Sequence, residues 1–226
     1  MAKTNVTERL HPLIKSASRK SRPSVRACLL EEAMRLFSAR GFDGVAVDEI
    51  VAAAGVNKRM VYHYFGSKEG LYGAVLISVF EQLEDLETSL SGLSNGELDP
   101  AAALRAIVVA YFQFLRTHPE FVRLLLWENL QEGRHLALIG TAVTKTTILH
   151  HLETILSIGI KKKLFRANLD AHNVLVSLIG LCLVYFSNRH TLSWTVGLKL
   201  SDPKVMEQAE QHATSMLLGG VQAGGK

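Results

Sequence analysis

The sequence predicts an all-α protein in which a small N-terminal three-helix bundle precedes a larger helical domain. From Ser24 onward, apolar residues recur at spacings of three and four, which is the period of an amphipathic helix. No segment shows the period-two alternation between turns that marks a β-strand. The segment Ser91–Pro100 concentrates turn-forming residues between two helical patterns, and it is the clearest linker in the chain.

Four helices are predicted before this linker. The first begins after Ser24 and stops at Gly41, because glycine commonly ends helices. The second is short and stops at Gly55, and the third begins directly after Asn57, a good N-cap residue. The fourth is capped by Ser67 and is long, extending to about residue 90.

Five further helices are predicted after the linker. Their approximate ranges are 101–117, 120–131, 135–163, 170–194 and 203–218. Pro119, Gly133 and Pro203 separate them, since these residue types interrupt helices. Residues 219–226, GGVQAGGK, are expected to form a disordered tail.

The composition is that of a folded chain without a membrane span. Of its 226 residues, 48% are hydrophobic and 20% are charged, which is wrong for a disordered protein. The longest apolar run, Val174–Phe186, is shorter than the roughly 17–25 residues of a transmembrane helix, and we expect no secretory signal. The two cysteines, Cys28 and Cys182, lie far apart, so we expect buried thiols and no disulfide scaffold.

Positive charge is concentrated at the N-terminus. The net charge is +4, yet residues 1–26 contain seven basic and one acidic side chain. A flexible basic arm over residues 1–22 is therefore expected. Such an arm suits a polyanion, either nucleic acid or an anionic membrane surface, and the alternative is a solubilising tail.

The second and third helices have the spacing of a helix-turn-helix motif over about residues 46–65. In that geometry the second helix of the motif presents one face to the major groove of DNA, while the first braces it. The outward face carries side chains suited to phosphates and base edges: Lys58, Arg59, Tyr62 and His63. Lys68 adds a cation beside the next helix N-terminus. An αα-corner in a bundle that binds no DNA is the alternative.

The run AGVNKRMVYHYFGSKEGLY (Ala54–Tyr72) closely resembles the DNA-binding signature of the TetR family of bacterial transcriptional regulators. Upstream, Ala33, Leu36, Phe37 and the sequence Arg40-Gly41-Phe42 match the family's first helix and turn. The resemblance implies a helix-turn-helix DNA-binding domain over residues 23–83 and a helical effector-binding and dimerisation domain over residues 84–218.

The resemblance also implies which residues contact DNA, mostly at its phosphates. With the outward face and the basic arm included, the candidates are Asn57, Lys58, Arg59, Tyr62, His63, Tyr64, Lys68, Arg22 and Arg26. Arg59 stands where many members have glycine, and our hypothesis is that it reaches further into the groove. Members usually have Thr or Ser just before the second helix, whereas this chain has Ala46; Asp48 and Glu49 are expected to compensate through the helix dipole.

For the larger domain the resemblance implies a small-molecule effector and a second subunit. The candidate pocket residues are Tyr111, Phe114, Arg123, Trp127 and Asn129, although this set equally describes an ordinary core. The candidate dimer residues are Leu178, Leu181, Tyr185, Met206 and Ala213, on the last two predicted helices. The alternative for the more apolar helix is a deep core position.

No catalytic residue, cofactor or metal site is expected. The chain has no phosphate-binding glycine loop, GxSxG elbow or HExxH motif, and His150 and His151 are adjacent and point about 100° apart on a helix. We therefore expect a homodimeric repressor in a bacterial cytoplasm, associated with the nucleoid when bound. A small-molecule effector releases it from a palindromic operator of double-stranded DNA. A helical interaction module without specific DNA binding is the alternative, and an enzyme fits poorly.

Overall fold

The computed structural model describes residues 24–94, 99–140 and 147–223, and these contain eleven α-helices and no β-strand. The first four are α1 (Val25–Arg40), α2 (Val47–Ala54), α3 (Arg59–Phe65) and α4 (Lys68–Ser89), and a short 3₁₀ helix follows at Ser91–Ser94. The remainder are α5 (Pro100–Thr117), α6 (Pro119–Leu130), α7 (Arg134–Ile139), α8 (Thr147–Lys161), α9 (Ala171–Ser187), α10 (Arg189–Thr195) and α11 (Pro203–Val221). The predicted all-α fold class is confirmed.

Helices α1 to α3 and the start of α4 form one small bundle. Ser24 caps α1, since its Oγ accepts a hydrogen bond from the Ala27 N–H at 3.2 Å, and Ser67 caps α4 in the same way through Gly70. The bundle core consists of fully buried side chains: Leu29, Ala33, Phe37, Ile50, Val61 and Leu71. Burial of these side chains is the main force that holds three short helices together.

Helix α4 belongs to both parts of the molecule. Its first turns pack against α1 and α3, and its later turns pack against α5, α6 and α8. The predicted boundary between residues 83 and 84 therefore falls inside one continuous helix.

Helix α5 is the centre of the larger domain. It contacts α8, α9 and α11, and Leu104, Ile107 and Phe112 are buried along its length. Among the described residues, no single helix is long and apolar enough to cross a bilayer. Only α9 and α10 taken together reach that length and composition, and they are bent by 73° at their junction.

Two of the predicted helices are each divided into two shorter ones. The predicted helix 135–163 is two helices, because α7 ends at Gly140, whose φ of +52° breaks the α conformation; residues 141–146 lie outside the described part. The predicted helix 170–194 breaks at Asn188, whose N–H caps α9 and whose carbonyl accepts from Leu192 in α10.

The expected disordered tail is partly wrong. Helix α11 continues through Gly219 and Gly220 to Val221, which is buried. The backbone N–H of Arg166 donates to the Val221 carbonyl at 2.9 Å, and that of Ala223 donates to Leu164 at 3.0 Å. These long-range bonds fix residues 219–223, and no local pattern in the sequence announces them. The final three residues, like the basic arm 1–22, lie outside the described residues.

Candidate nucleic-acid interface

A tight turn sets the angle between α2 and α3. Gly55 ends α2 in the left-handed conformation, with φ of +65°, which glycine adopts without the penalty of a Cβ. Val56 follows with its N–H bonded to the Val51 carbonyl at 3.0 Å. The Asn57 Oδ1 then accepts from the N–H of Arg59, the first residue of α3, at 2.9 Å; the N-cap position itself is Lys58, one residue after the predicted Asn57. Two short helices are thus joined in the helix-turn-helix arrangement.

The outer face of α3 is polar and exposed, while its inner face is buried. Val61 is fully buried, and Phe65 packs partly against the core. Tyr62 and Tyr64 are exposed by 52% and 41%, respectively, large values for aromatic side chains. Asn57, Lys58, Arg59 and His63 are also exposed. The structure therefore brings the candidate DNA-contacting residues of this helix together on one accessible surface.

The two adjacent cations of α3 differ in their surroundings. The Lys58 Nζ lies 2.9 Å from the Asp48 Oδ1 of α2, and this hydrogen bond raises the pKa of Lys58. Among the described residues, the Arg59 guanidinium has no such partner. Arg59 is consequently free to offer its bidentate donors to a guanine edge, while Lys58 shares its charge with a carboxylate.

Cations flank α3 on either side. Lys68, the first residue of α4, places its Nζ 4.2 Å from the centroid of the Phe42 ring, and the Arg26 guanidinium lies 5.3 Å from the Phe65 ring centroid. Both are within the range of cation–π attraction, which orients the side chains without neutralising them. Arg22 lies outside the described residues.

Glu49 compensates for the missing cap on α2. Its Oε2 accepts from the Ala46 N–H at 2.9 Å, and its Oε1 pairs with the Arg40 Nη1 at 2.8 Å. The hydrogen bond with Arg40, and then the one with Ala46, lower the pKa of the Glu49 carboxyl. Compensation by Glu49 was expected through the helix dipole, and the structure adds a direct hydrogen bond, the carboxylate half of a capping box. The methyl group of Ala46 cannot supply the other half.

A buried polar cluster joins the bundle to the larger domain. The Glu128 carboxylate, which is 1% exposed, accepts from the Tyr72 hydroxyl at 3.0 Å and from the N–H groups of His135 and Leu136 at 3.1 Å. The His135 Nδ1 lies 3.0 Å from the same carboxylate, and because a carboxylate only accepts, the proton lies on Nδ1. Burial, with Glu128 beside it, raises the pKa of Tyr72 and keeps its hydroxyl a donor. Tyr72 and Glu128 are 56 positions apart in the chain, and Glu128 and His135 are 7 positions apart, so no sequence motif identifies the cluster.

Trp127 lies at this same junction, which corrects its assignment to the effector pocket. Its Nε1 donates to the Ser38 carbonyl at 3.3 Å, and its ring covers Gly41 so closely that a Cβ there would lie 2.8 Å from Cδ2. Gln131 adds a hydrogen bond to Asp43 at 3.1 Å. The sequence identified Trp127 as an aromatic group among polar neighbours but gave no information about which domain it faces.

An apolar cavity of about 230 Å³ lies in the larger domain, between α4, α5, α6, α8 and α9. Its lining is almost entirely apolar and includes Phe80, Phe121, Leu178 and Tyr111, with Glu87 as the charged member. Burial raises the pKa of the Tyr111 phenol, so this group remains a neutral hydrogen-bond donor.

The other predicted pocket residues lie elsewhere. Phe114 is buried and stacks on His118 with ring centroids 4.3 Å apart. Asn129 is exposed, and its Nδ2 donates to the Leu125 carbonyl of its own helix. Arg123 is exposed and lines a different cleft. Of the five candidates, only Tyr111 is among the described residues that line the apolar cavity.

Three of the predicted dimer residues are buried within their own chain. Leu178, Met206 and Ala213 belong to the core, because α9 and α11 both pack on α5. Leu181 and Tyr185 are half-buried. The opposite faces of α9 and α11 expose a different set, Val176, Gly180, Val184 and Met216. The family resemblance and the apolar residues of these two helices predicted the interface, but total apolarity does not distinguish one face of a helix from the other. Among the described residues, no group of three His, Cys, Asp or Glu side chains could hold a metal ion.

Comparison with known proteins identifies the family. Residues 29–75 match the model of the bacterial regulatory proteins, tetR family, and residues 100–217 match the model of the tetracyclin repressor-like C-terminal domain. The chain is 36% identical over 181 residues to the HTH-type transcriptional repressor NicS of Pseudomonas putida, covering 77% of this chain and 81% of that protein. It is 29% identical over 119 residues to the HTH-type transcriptional regulator RutR of Escherichia coli, covering 52% and 54% of the two chains.

Solved structures show the same fold. The ketosteroid transcriptional regulator KstR2 of Mycobacterium tuberculosis superimposes with a TM-score of 0.65 at 22% identity, covering 90% of this chain and 98% of that one. A TetR-family regulator from Mesorhizobium loti superimposes with a TM-score of 0.64 at 20% identity, covering 88% and 97%. These relatives are transcriptional regulators and not enzymes. The family models and the relative with 36% identity confirm the resemblance seen in the helix-turn-helix residues: this chain belongs to the TetR family of transcriptional regulators.

Proposed function

We propose that the protein is a homodimeric repressor that binds a palindromic operator through α3. It dissociates from the operator when a small molecule occupies the apolar cavity. The observation that carries the proposal is the exposed outer face of α3, with the Arg59 guanidinium at its start, which has no acidic partner among the residues that the structure describes. Val61 and Phe65 anchor the opposite face in the bundle, so the polar side chains project outward from a rigid support.

Roles on DNA follow from the surroundings of each group. Arg59 reads a base, because its forked donors match the O6 and N7 acceptors of guanine. The hydroxyls of Tyr62 and Tyr64, the Lys68 ammonium and the Asp48-paired Lys58 contact phosphates, which set register without reading sequence. Asn57 and His63 extend the phosphate-contacting surface, and Arg22 and Arg26 continue it along the backbone of the DNA.

A dimer follows from the size of the reading element. Helix α3 has only seven residues, and one such helix contacts too few bases for tight, specific binding. Two copies related by a twofold axis and separated by one turn of DNA, roughly 34–36 Å, would read both halves of a palindrome. The subunit contact is assigned to the exposed faces of α9 and α11, where Val176, Gly180, Val184 and Met216 leave apolar or small groups uncovered.

The cavity supplies the response to a ligand. Phe80, Leu83 and Leu86 project into it from the C-terminal half of α4, whose other end carries Lys68 beside α3. A ligand that fits the cavity better in one position of α4 shifts the population toward that position, which changes the separation of the two α3 helices. The protein acts in this way in the bacterial cytoplasm, with no chemical turnover of the ligand.

Selection of bound DNA from a random pool tests the proposal. The expected result is an enriched palindrome whose half-sites are separated by about one helical turn. A parallel selection with Val176→Asp, which places a charge on the exposed face of α9, should lose the palindrome while leaving the fold intact. Enrichment of single half-sites by the unmodified chain would contradict the dimer, and no enrichment at low salt would contradict DNA recognition altogether.

A further inference from the structure

We propose that a cleft separate from the apolar cavity binds a compact amphipathic anion, namely a carboxylate attached to an apolar body of about two rings. The cleft lies where the C-terminal end of α5 and the first turns of α6 meet α10 and the start of α11, and its volume is about 420 Å³. It is therefore within the range of about 300–1,000 Å³ that is typical of ligand sites.

The rim of this cleft is cationic. Arg116 at the end of α5, Arg123 on α6 and Arg189 at the start of α10 all line it, and His190 lies beside them. Among the described residues, none of the three guanidinium groups has a carboxylate or hydrogen-bond partner. No Asp or Glu side chain is among the lining residues. Three cationic side chains thus line one cleft with no acidic side chain among its lining residues, which favours binding of an anion there.

The floor of the cleft is apolar. Leu115, Val122 and Met206 are buried at its base, and the half-buried ring of Phe186 forms one wall. A cavity of about 150 Å³ holds one benzene ring, so 420 Å³ accommodates two rings and a short side chain. An apolar floor under a guanidinium rim selects a ligand with a hydrophobic body and a charged end.

A carboxylate fits the charged end well. The guanidinium fork donates two parallel hydrogen bonds to a planar carboxylate, and such charge-assisted bonds are stronger than neutral ones. The remaining donors of the other arginines would hold the anion while its body displaces water from the apolar floor.

The position of the cleft connects it to the domain junction. Val122, Arg123 and Leu126 line the cleft from α6, and the next residues of that helix are Trp127 and Glu128, which hold the DNA-binding bundle. A ligand in the cleft therefore contacts the same helix that fixes the bundle. Its binding should alter the environment of the Trp127 indole.

Calorimetric titration of the full chain with 1-naphthylacetate, and with its uncharged analogue 1-naphthaleneacetamide, tests the charge requirement. We expect the carboxylate to bind with one molecule per chain and the amide to bind at least about tenfold more weakly, since hydrogen bonds between charged groups are the stronger ones. Equal binding of the two compounds, or no binding of the carboxylate at millimolar concentration, overturns the proposal.

Substitutions locate the site. Arg123→Gln and Arg189→Gln should each weaken carboxylate binding by about tenfold, while Arg105→Gln, an exposed arginine of α5 outside the cleft, should leave it unchanged. All three side chains are exposed, so the variants should fold, and circular dichroism would verify this. If both cleft variants bind the carboxylate as tightly as the unmodified chain, the assignment is overturned. Such a result would mean that the probe occupies the apolar cavity instead.

Discussion

Arg59 and Lys58 show how neighbouring cations of one short helix acquire different tasks. Lys58 is paired with Asp48, whereas Arg59 has no acidic partner among the residues that the structure describes. The sequence predicted that both reach DNA, but it could not indicate the pairing, because Asp48 belongs to the preceding helix and meets Lys58 only after the turn at Gly55 forms.

Replacing Arg59 with alanine should weaken operator binding by about 1–3 kcal/mol, and the loss should vanish when one particular base pair of each half-site is changed. Fluorescence anisotropy with a set of single-base operator variants measures this. Arg105→Ala is the matched control. A uniform loss across every operator variant would show instead that Arg59 contacts phosphate.

Ala46 is a second residue whose replacement should have a predictable effect. A hydroxyl at this position would accept from the Glu49 N–H and complete the capping box of which Glu49 already forms one half. Ala46→Ser or Ala46→Thr should therefore raise the free energy of unfolding by about 0.5–2 kcal/mol. Urea titration followed by circular dichroism measures it, and an unchanged midpoint would mean that the existing Glu49 bond already satisfies the helix start.

At the scale of helices, the junction between α1, α4, α6 and α7 depends on close contacts that the sequence did not reveal. Helices α1, α4 and α6 were predicted, since periodicity, Ser67 and the glycines mark them locally, whereas α7 was predicted only as part of a longer helix. Their mutual packing was not, because Trp127 meets Ser38 and Gly41 across more than 80 positions of the chain. The same limitation applies to the predicted pocket residues. The sequence could not show that Tyr111 lines the cavity, whereas Asn129 is exposed and bonds to its own helix.

Gly41 in this junction can be compared with Gly55 in the turn between α2 and α3. Both have positive φ, +72° and +65°, but a Cβ on Gly41 would collide with the Trp127 ring, while nothing lies within 4 Å of one on Gly55. Gly55→Ala should cost roughly 1–2 kcal/mol of stability from the backbone alone. Gly41→Ala should cost clearly more. Thermal unfolding of the two variants gives the difference, and equal costs would show that the Trp127 ring moves aside without penalty.

Glu128 is the centre of the same junction. Glu128→Ala leaves the buried Tyr72 hydroxyl and two backbone N–H groups without an acceptor, so it should destabilise the protein by about 3 kcal/mol. Glu153→Ala, which removes an exposed carboxylate of α8, is the control and should change stability little. A small loss in the Glu128 variant would indicate that water replaces the carboxylate.

For the whole molecule, we expect the basic arm over residues 1–22 to influence how DNA binding depends on salt. Each phosphate that a cation neutralises contributes about −0.9 to the slope of log K against log salt concentration. Deletion of residues 1–21 should therefore make the slope shallower while leaving the preferred operator sequence unchanged. Operator titrations over a range of salt concentrations measure this, and a changed sequence preference would show that the arm reads bases.

The single-helix construction of α4 limits how the molecule can be re-engineered. Modular biosensors are commonly assembled by grafting the recognition half of one regulator onto the sensing half of another. In this protein a splice after residue 83 would cut through the one helix that both halves share, and it would separate Phe80 and Leu83 from Leu86, although all three line the same cavity. A working chimera would have to keep α4 intact, together with the contacts that Trp127 and Glu128 make at the domain junction.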